Sequence, residues 1–301
     1  MIEIAFIIPC FNEEESISKV IYEIKELLPE AEIFVCDNNS TDNTIELAKS
    51  AGAKVFFEKN KGKGNAVRRL LRDIDAEIFI MVDGDNTYNL SNIRQAVKEF
   101  RAGFYDLMTG NRFSEEGKSN FRKGHRLGNI LFTLFFQILF GIQTEDVFSG
   151  LRIFSRRLVK SFPLVSSEFE IETELSIYAS RMRLPCKDFP TNVSSRINSE
   201  SKLSKYKDGL KILFFSIKLL HREYPLRIYF PFSIITAITS IYIFSIPYSE
   251  FMSSGLVTRI PTLITSTIFF TLSIFSFFAG LILQEISNLK YEQRILKYLI
   301  N

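Results

Sequence analysis

Two stretches near the end of the chain carry no charged residue, one between Arg227 and Glu250 and the other between Arg259 and Glu285. Each reaches the ~20 residues that an α-helix needs to cross the hydrocarbon core of a bilayer. A buried helix pair is the competing reading, but a soluble fold of 301 residues seldom offers two such stretches in tandem. Two transmembrane helices are therefore expected, over about 227–248 and 260–283, within a membrane region of 226–284. Lys205, Lys207, Lys211, Lys218, Arg222 and Arg227 precede the first stretch and Lys290, Arg294 and Lys297 follow the second, while the loop between them sets Arg259 against Glu250. The positive-inside rule then places both termini in the cytosol of a multi-pass protein of the cytoplasmic (inner) membrane. Met1 leads straight into IEIAFII, without the basic start and small-residue cleavage site of a signal peptide.

What precedes the membrane region is long enough for one sizeable core, and 46% of the whole chain is hydrophobic. The formal net charge of +3 is mild, and the basic residues gather beside the apolar stretches. That distribution fits an anionic lipid surface and argues against a nucleic-acid partner. Cys10, Cys36 and Cys186 lie far apart with no metal-site spacing, so they read as small core residues of a reducing compartment. Over the first hundred or so residues, Ile2–Ile8, Glu32–Cys36, Lys54–Phe57, Glu77–Val82 and Asp106–Met108 read as strands, with helical patterns starting near Glu14, Thr41, Gly64 and Leu90. Alternation of this kind predicts an α/β domain with a mostly parallel, Rossmann-like sheet.

Polar clusters follow the strands. MVDGDNTY, from Met81 to Tyr88, ends a strand in Asp83 and Asp85 around Gly84, whose small size permits a tight turn. In open α/β sheets ligands bind at that edge, and two hard oxygen ligands suit Mg²⁺ or Mn²⁺ on a diphosphate; two solvated acids in a turn are the alternative. PCFNEE (Pro9 to Glu14) follows the first strand and DNNSTDNT (Asp37 to Thr44) the second, with Ser40 or Thr41 as the expected N-cap of the next helix. NKGKGNA (Asn60 to Ala66) places Lys61, Gly62, Lys63 and Gly64 at a helix start, where backbone N–H groups and the dipole favour an anion. Four such loops at one end of successive strands describe one cleft.

The set Pro9, Asn12 and Glu13; Asp37, Ser40 and Asp42; Asn60, Gly62, Gly64 and Ala66; and Asp83, Gly84 and Asp85 resembles family 2 glycosyltransferases with the GT-A fold, in particular the dolichol-phosphate mannose and polyprenyl-phosphate glycosyltransferase branch. The likeness runs from Ile4 to about Gly209 and continues in kind through the paired apolar stretches. Where many relatives have Asp-Asp-Gly-Ser, this chain has Asp37, Asn38, Asn39 and Ser40, and neutral amides leave the nucleotide base open. The resemblance implies a nucleotide-sugar site of Pro9, Asn12, Glu13, Asp37, Asn39, Lys63, Gly64, Asp83, Gly84, Asp85 and Arg112, with Asp85 as metal ligand and Asp83 on the metal, ribose or sugar.

EDVFSGLRIFSRR (Glu145 to Arg157) matches that branch best; Asp146, Gly150 and Arg152 read as strand, turn and strand, and the resemblance places Asp146 beside the reacting sugar, as base or positioner. Arg112, which ends FYDLMTGNR, is either a surface arginine or a donor contact. Arg122, Lys123, His125 and Arg126 lead into an uncharged helix over 127–142 that is either interfacial or buried in the domain. The helix from Phe169 reads as amphipathic, with Glu170 and Glu174 structural. With Arg126 and Arg152, the residues Arg122, His125, Arg196, Ser201 and Lys202 are the expected grip on diphosphate or acceptor phosphate. Leu203, Tyr206, Leu210, Leu213, Ile217, Leu220 and Tyr224 mark the apolar face of a helix over 203–225, and 285–301 forms an amphipathic tail, interfacial or at a homo-oligomer contact. Residues 1–202 are then the catalytic domain. The expected activity is inverting transfer of a hexose or N-acetylhexosamine from UDP onto a polyprenyl (undecaprenyl or dolichyl) phosphate among membrane lipids. GDP-mannose is the alternative donor, and a catalytically dead anchor the non-enzyme alternative. The product would pass to a flippase and a transferase that uses the lipid-linked sugar.

Overall fold

The structure, a computed structural model, describes residues 2–113, 123–168, 170–193 and 205–300. Arg122, Arg196, Ser201 and Lys202 lie outside the described residues, as do the side chains of His125 and Arg126. The chain divides into two compact units, residues 1–205 with 294–301 and residues 206–293.

The first unit is built on seven strands: β1 (Ile2–Cys10), β2 (Glu32–Asp37), β3 (Lys54–Phe57), β4 (Ala76–Met81), β5 (Leu107–Asn111), β6 (Arg152–Ser155) and β7 (Cys186–Pro190), ordered β3-β2-β1-β4-β6-β5-β7. Between them run α1 (Ile17–Leu27), α2 (Thr44–Ser50), α3 (Lys63–Asp73), α4 (Ile93–Ala102), α5 (Lys123–Phe140), α6 (Arg156–Ser161) and α7 (Ile171–Arg181). All pairings are parallel except those of β6, which runs antiparallel to both β4 and β5. The parallel strands bury both faces, which is why β1 and β4 read as unbroken apolar runs. Ile4, Phe6 and Ile8 pack with Ile21 and Ile24 of α1 and Val97 and Phe100 of α4 in one core cluster, and Phe79 stacks on Phe154 of β6 at 5.9 Å.

β5 begins at Leu107 rather than Asp106 and extends through Gly110 to Asn111, within the stretch FYDLMTGNR. Asp106 is fully buried just before it. Its carboxylate accepts from Ser155 Oγ and from Tyr298 Oη, both at 2.5 Å, and Arg157 lies over the Tyr298 ring. Burial, with Asp106 next to it, pushes the Tyr298 phenol up to about 12. Helix α7 is buried from Ile171 to Ala179 and so is not amphipathic. Glu174 has the expected structural role: its Oε2 accepts from Val165 N and Ser166 N. Helix α5 presents a buried face and an exposed apolar one. Phe136 is buried and packs with Phe140 and, edge-on, with Phe148, while Leu131, Leu134 and Ile138 are exposed.

The second unit holds α8 (Lys205–Glu223), α9 (Leu226–Ser254) and most of α10 (Ile260–Ile300). Among the described side chains of α8, those of Ser216, Leu219, Leu220 and Glu223 are buried and that of Ile217 is exposed; Leu203 and the side chains of Tyr206, Leu210 and Leu213 lie outside the described residues. Helices α9 and α10 are long and apolar enough to cross a membrane. Helix α10 runs unbroken from Ile260 to Ile300, through both the span expected over 260–283 and the amphipathic segment expected over 285–301. Small hydroxyl residues line the α9–α10 seam: Ser240 Oγ donates to Ser266 O and Ser273 Oγ to Ser233 O, each at 2.8 Å, and a Cβ on Gly280 would lie 2.7 Å from that of Tyr229.

Candidate active site

The carboxyl ends of β1, β2, β4 and β5 lie along one edge of the sheet. Because β6 is antiparallel, its start, with Gly150 and Arg152, comes to the same edge. Asp146 sits in the turn before it, not on a strand as expected, since only the second of the two anticipated strands forms.

The loops after β1 and β2 are laced together. Asn12, at φ +54°, donates its N–H to Ser40 Oγ and accepts from Thr41 N, and Glu13 N donates to Thr44 Oγ1. Helix α2 therefore begins at Thr44, with Asp42 Oδ1 accepting from Thr44 N, and neither Ser40 nor Thr41 is its cap. Pro9 is buried within β1, one residue short of its end. Asp37 ends β2 with no solvent exposure. Its Oδ2 accepts from Ser40 N at 3.1 Å, while Oδ1 is buried with no hydrogen-bond partner among the described residues. A buried carboxylate oxygen left in this way is an invitation to a ligand donor.

The two asparagines after Asp37 brace a neighbouring loop. Asn38 Nδ2 donates to Glu58 O and Asn60 O, Asn38 Oδ1 accepts from Gly62 N, and Asn39, at φ +68°, donates to Glu58 O and Lys59 O. The Asn39 side-chain N–H groups thus brace the 58–59 segment.

The start of α3 is not an open anion site. Gly62, at φ +124°, and Gly64 press against the segment before α7: added Cβ atoms would lie 2.1 Å from Ser167 O and 2.5 Å from Ser166 O, and Gly64 N donates to Glu168 O. Lys63, between these glycines, reaches Asp83 Oδ1 and Glu172 Oε1, each at 2.5 Å. Although burial opposes its charge, the two carboxylates hold the ammonium well above the usual lysine range.

After β4, Gly84 is required for its lack of a side chain: a Cβ there would lie 2.6 Å from Cys10 Sγ. The left-handed turn falls instead on Asn86, at φ +55°. Asp85 Oδ1 accepts from Thr87 N at 3.1 Å and Thr87 Oγ1 at 2.6 Å, and Gly150 approaches Asp83 so closely that a Cβ would lie 2.5 Å from Oδ2. Gly150 N also donates to the Tyr88 hydroxyl at 2.6 Å.

Asp146 is fully buried and held by Arg112 in a bidentate pair, Nε to Oδ2 at 2.6 Å and Nη2 to Oδ1 at 2.7 Å. Arg112 is therefore no isolated surface arginine, and it rather than Arg152 is the cation on Asp146. Arg152 has no solvent exposure, and its guanidinium donates to Ser149 O, Val147 O and Ser176 Oγ. It clamps the Asp146 turn from behind and does not face the cleft as a phosphate grip would. The sequence reading missed Tyr88 and Glu172. Glu172 is the middle of three alternating glutamates in Phe169 to Leu175, and Glu170 and Glu174, a turn apart, lie on another face of the helix.

No group of three or more His, Cys, Asp or Glu side chains forms a closed metal site among the described residues. Asp83 and Asp85 nevertheless fit a divalent ion whose remaining ligands come from a diphosphate and water, since Mg²⁺ is ordinarily held by one or two carboxylates plus substrate phosphates.

Comparison with known proteins agrees with this layout. The pattern of "Glycosyl transferase family 2" matches residues 5–162. Glycosyltransferase AglJ of Haloferax volcanii is 32% identical over 208 residues, 68% of each chain. The dolichyl-phosphate hexose transferase of the same organism is 26% identical over 210 residues, 70% of this chain and 90% of that protein. Glucosyl-3-phosphoglycerate synthase from Mycobacterium tuberculosis, solved with Mn²⁺ and UDP-glucose, shares the fold at a TM-score of 0.55 and 23% identity, over 70% of this chain and 76% of that one. With its mostly parallel sheet, its strand-edge loops and a family match over more than half its length, the chain belongs to glycosyl transferase family 2.

Proposed function

We propose that the protein transfers a hexosyl or N-acetylhexosaminyl group from UDP onto a polyprenyl monophosphate at the cytosolic membrane face, with inversion. The observation that carries this reading is the convergence at one sheet edge of Asp37, with an unpartnered buried oxygen, and the carboxylates of Asp83 and Asp85. Asp37 Oδ1 would accept from the ribose or base of the donor. Asp83 and Asp85 would hold a divalent ion, which supplies Lewis-acid neutralisation of charge developing on the departing diphosphate. UDP-glucose and Mn²⁺ are what the solved relative of the same fold holds, and a polyprenyl acceptor is what the name of the Haloferax transferase describes.

A phosphate monoester has a second pKa near 6, so the acceptor arrives as a nucleophile at neutral pH and needs no strong base. Its oxygen attacks the anomeric carbon as the bond from that carbon to the diphosphate oxygen breaks. Both oxygens of Asp146 are engaged by Arg112, which suits a carboxylate that orients a guanidinium toward the donor. In this reading helices α9 and α10 span the bilayer.

Membranes containing the protein, given polyprenyl phosphate and a panel of UDP- and GDP-sugars, should yield a glycosylated lipid phosphate detectable by mass spectrometry. No lipid product with any donor would overturn the acceptor, and a product from GDP-mannose alone would replace the donor. Tags at Met1 and Asn301 should both be inaccessible from outside intact cells; labelling of either would refute the two-span topology.

A further inference from the structure

Lys63 stands between carboxylates from two different parts of the fold, Asp83 after β4 and Glu172 in α7, with side-chain exposures of 9%, 28% and 6% for Lys63, Asp83 and Glu172. Its backbone is fixed, because the glycines on either side press on the carbonyls of Ser166 and Ser167. Only the end of the side chain is left to move. Asp83 cannot serve a divalent ion through Oδ1 while the ammonium remains there, since two cations would face each other across one oxygen. An ammonium released from Asp83 with no other partner would be a buried unpaired charge, a state that proteins avoid. Glu172 supplies that partner in advance. Arg152 adds a favourable field at Glu172 but directs its N–H groups to Val147, Ser149 and Ser176, so it does not compete for the carboxylate.

We infer that Glu172 is a positioning residue for donor entry: Lys63 rests on Asp83 as a resident cation and transfers its pairing to Glu172 when a divalent ion arrives with the diphosphate. The inference rests on the reading above in which Asp83 and Asp85 hold that ion.

The test is Mn²⁺ binding to the detergent-solubilised full chain, followed by the electron paramagnetic resonance signal of free Mn²⁺ at saturating UDP. Glu172→Gln should weaken Mn²⁺ binding about tenfold or more, because Lys63 is then left to Asp83 alone. The double variant Lys63→Gln with Glu172→Gln should recover most of that loss, which a merely structural glutamate would not allow. Without nucleotide, Lys63→Gln should bind Mn²⁺ more tightly than the unmodified protein. Unchanged affinity in Glu172→Gln, or a double variant no better than Glu172→Gln alone, overturns the inference. Should Glu172→Gln fail to fold, as judged by circular dichroism, Lys63→Gln decides, and affinity for bare Mn²⁺ at or below that of the unmodified protein overturns it. Absence of Mn²⁺ binding by the unmodified chain with UDP or GDP would overturn the proposed donor site itself, whereas binding there with unaltered variants defeats only the role of Glu172.

Discussion

In the sheet unit the fully buried apolar side chains include Phe6, Ile8, Phe79 and Phe154, whereas along the α9–α10 seam the buried ones include Ser233, Thr236, Ser240, Ser266 and Ser276. Outside the seam the order is reversed again: Ile241, Tyr242, Phe275 and Phe278 point away from the pair and are exposed. In water the first arrangement is driven by removal of apolar surface, and the second would waste it. In hydrocarbon, helices gain nothing by hiding leucines from lipid, and they associate through close approach of small residues and hydrogen bonds across the seam. One chain therefore carries two packing rules, and each suits a different solvent. The candidate site lies with the first rule, at a sheet edge where buried carboxylates are held by cations and amides.

That division can be broken most forcefully at the sheet edge. Asp85→Asn keeps the volume of the side chain and removes a charge, so turnover should fall at least about 100-fold while membrane extraction behaviour and thermal unfolding stay unchanged. Excess EDTA should do the same to the unmodified enzyme. Full activity in EDTA would remove the divalent ion from the account.

A matched pair of substitutions sharpens the packing contrast. Phe79→Ala in β4 should destabilise the sheet unit by about 3–5 kcal/mol, but Phe275→Ala, on the exposed face of α10, should change stability by less than about 1 kcal/mol. Limited proteolysis of the purified protein against temperature reads both. Equal effects would mean that α10 is packed as a water-soluble helix is.

Within the seam, Ser273→Ala removes one bond to Ser233 O and should cost only about 0.6 kcal/mol, whereas Gly280→Leu cannot be placed against Tyr229 without parting the helices. A Gly280→Leu protein as resistant to unfolding in detergent as Ser273→Ala would contradict the seam.

The smallest expected effect is on the shape of a pH profile. If the acceptor phosphate is its own nucleophile, the acidic limb of kcat/KM near pH 6 should survive in Asp146→Asn even as the rate drops. Loss of the limb would make Asp146 a general base, a role that typically contributes 10² to 10⁴-fold.

Much of the sheet and the site was legible because the signals were local. β1 to β4 announce themselves as apolar runs, and each ends in a polar cluster, so the positions of Asp37, Asp83 and Asp85 followed from counting along the chain. What escaped was set by tertiary partners. The short strand Cys186–Pro190 carries Lys187 and Asp188 and has no alternation to detect. Arg152 looks like a phosphate ligand from its neighbours in sequence, and only the fold shows Val147 and Ser149 turning their carbonyls onto it. The bracing by Asn39 was hidden for a similar reason, since the carbonyls that its amide holds are 19 and 20 residues away in sequence. Glu172 was invisible as a partner of Lys63 because over a hundred residues separate the two.

The close fit of Gly62 and Gly64 against Ser166 and Ser167 also governs how this protein can be recombined with its relatives. A chimera whose crossover falls anywhere between residues 64 and 166 would bring one parent's glycine loop against the other parent's approach to α7. A single added methyl group there meets a carbonyl oxygen, which no side-chain rotation can relieve. Residues 62–64 and 166–167 thus form one fitted pair, which such a crossover would divide between two parents.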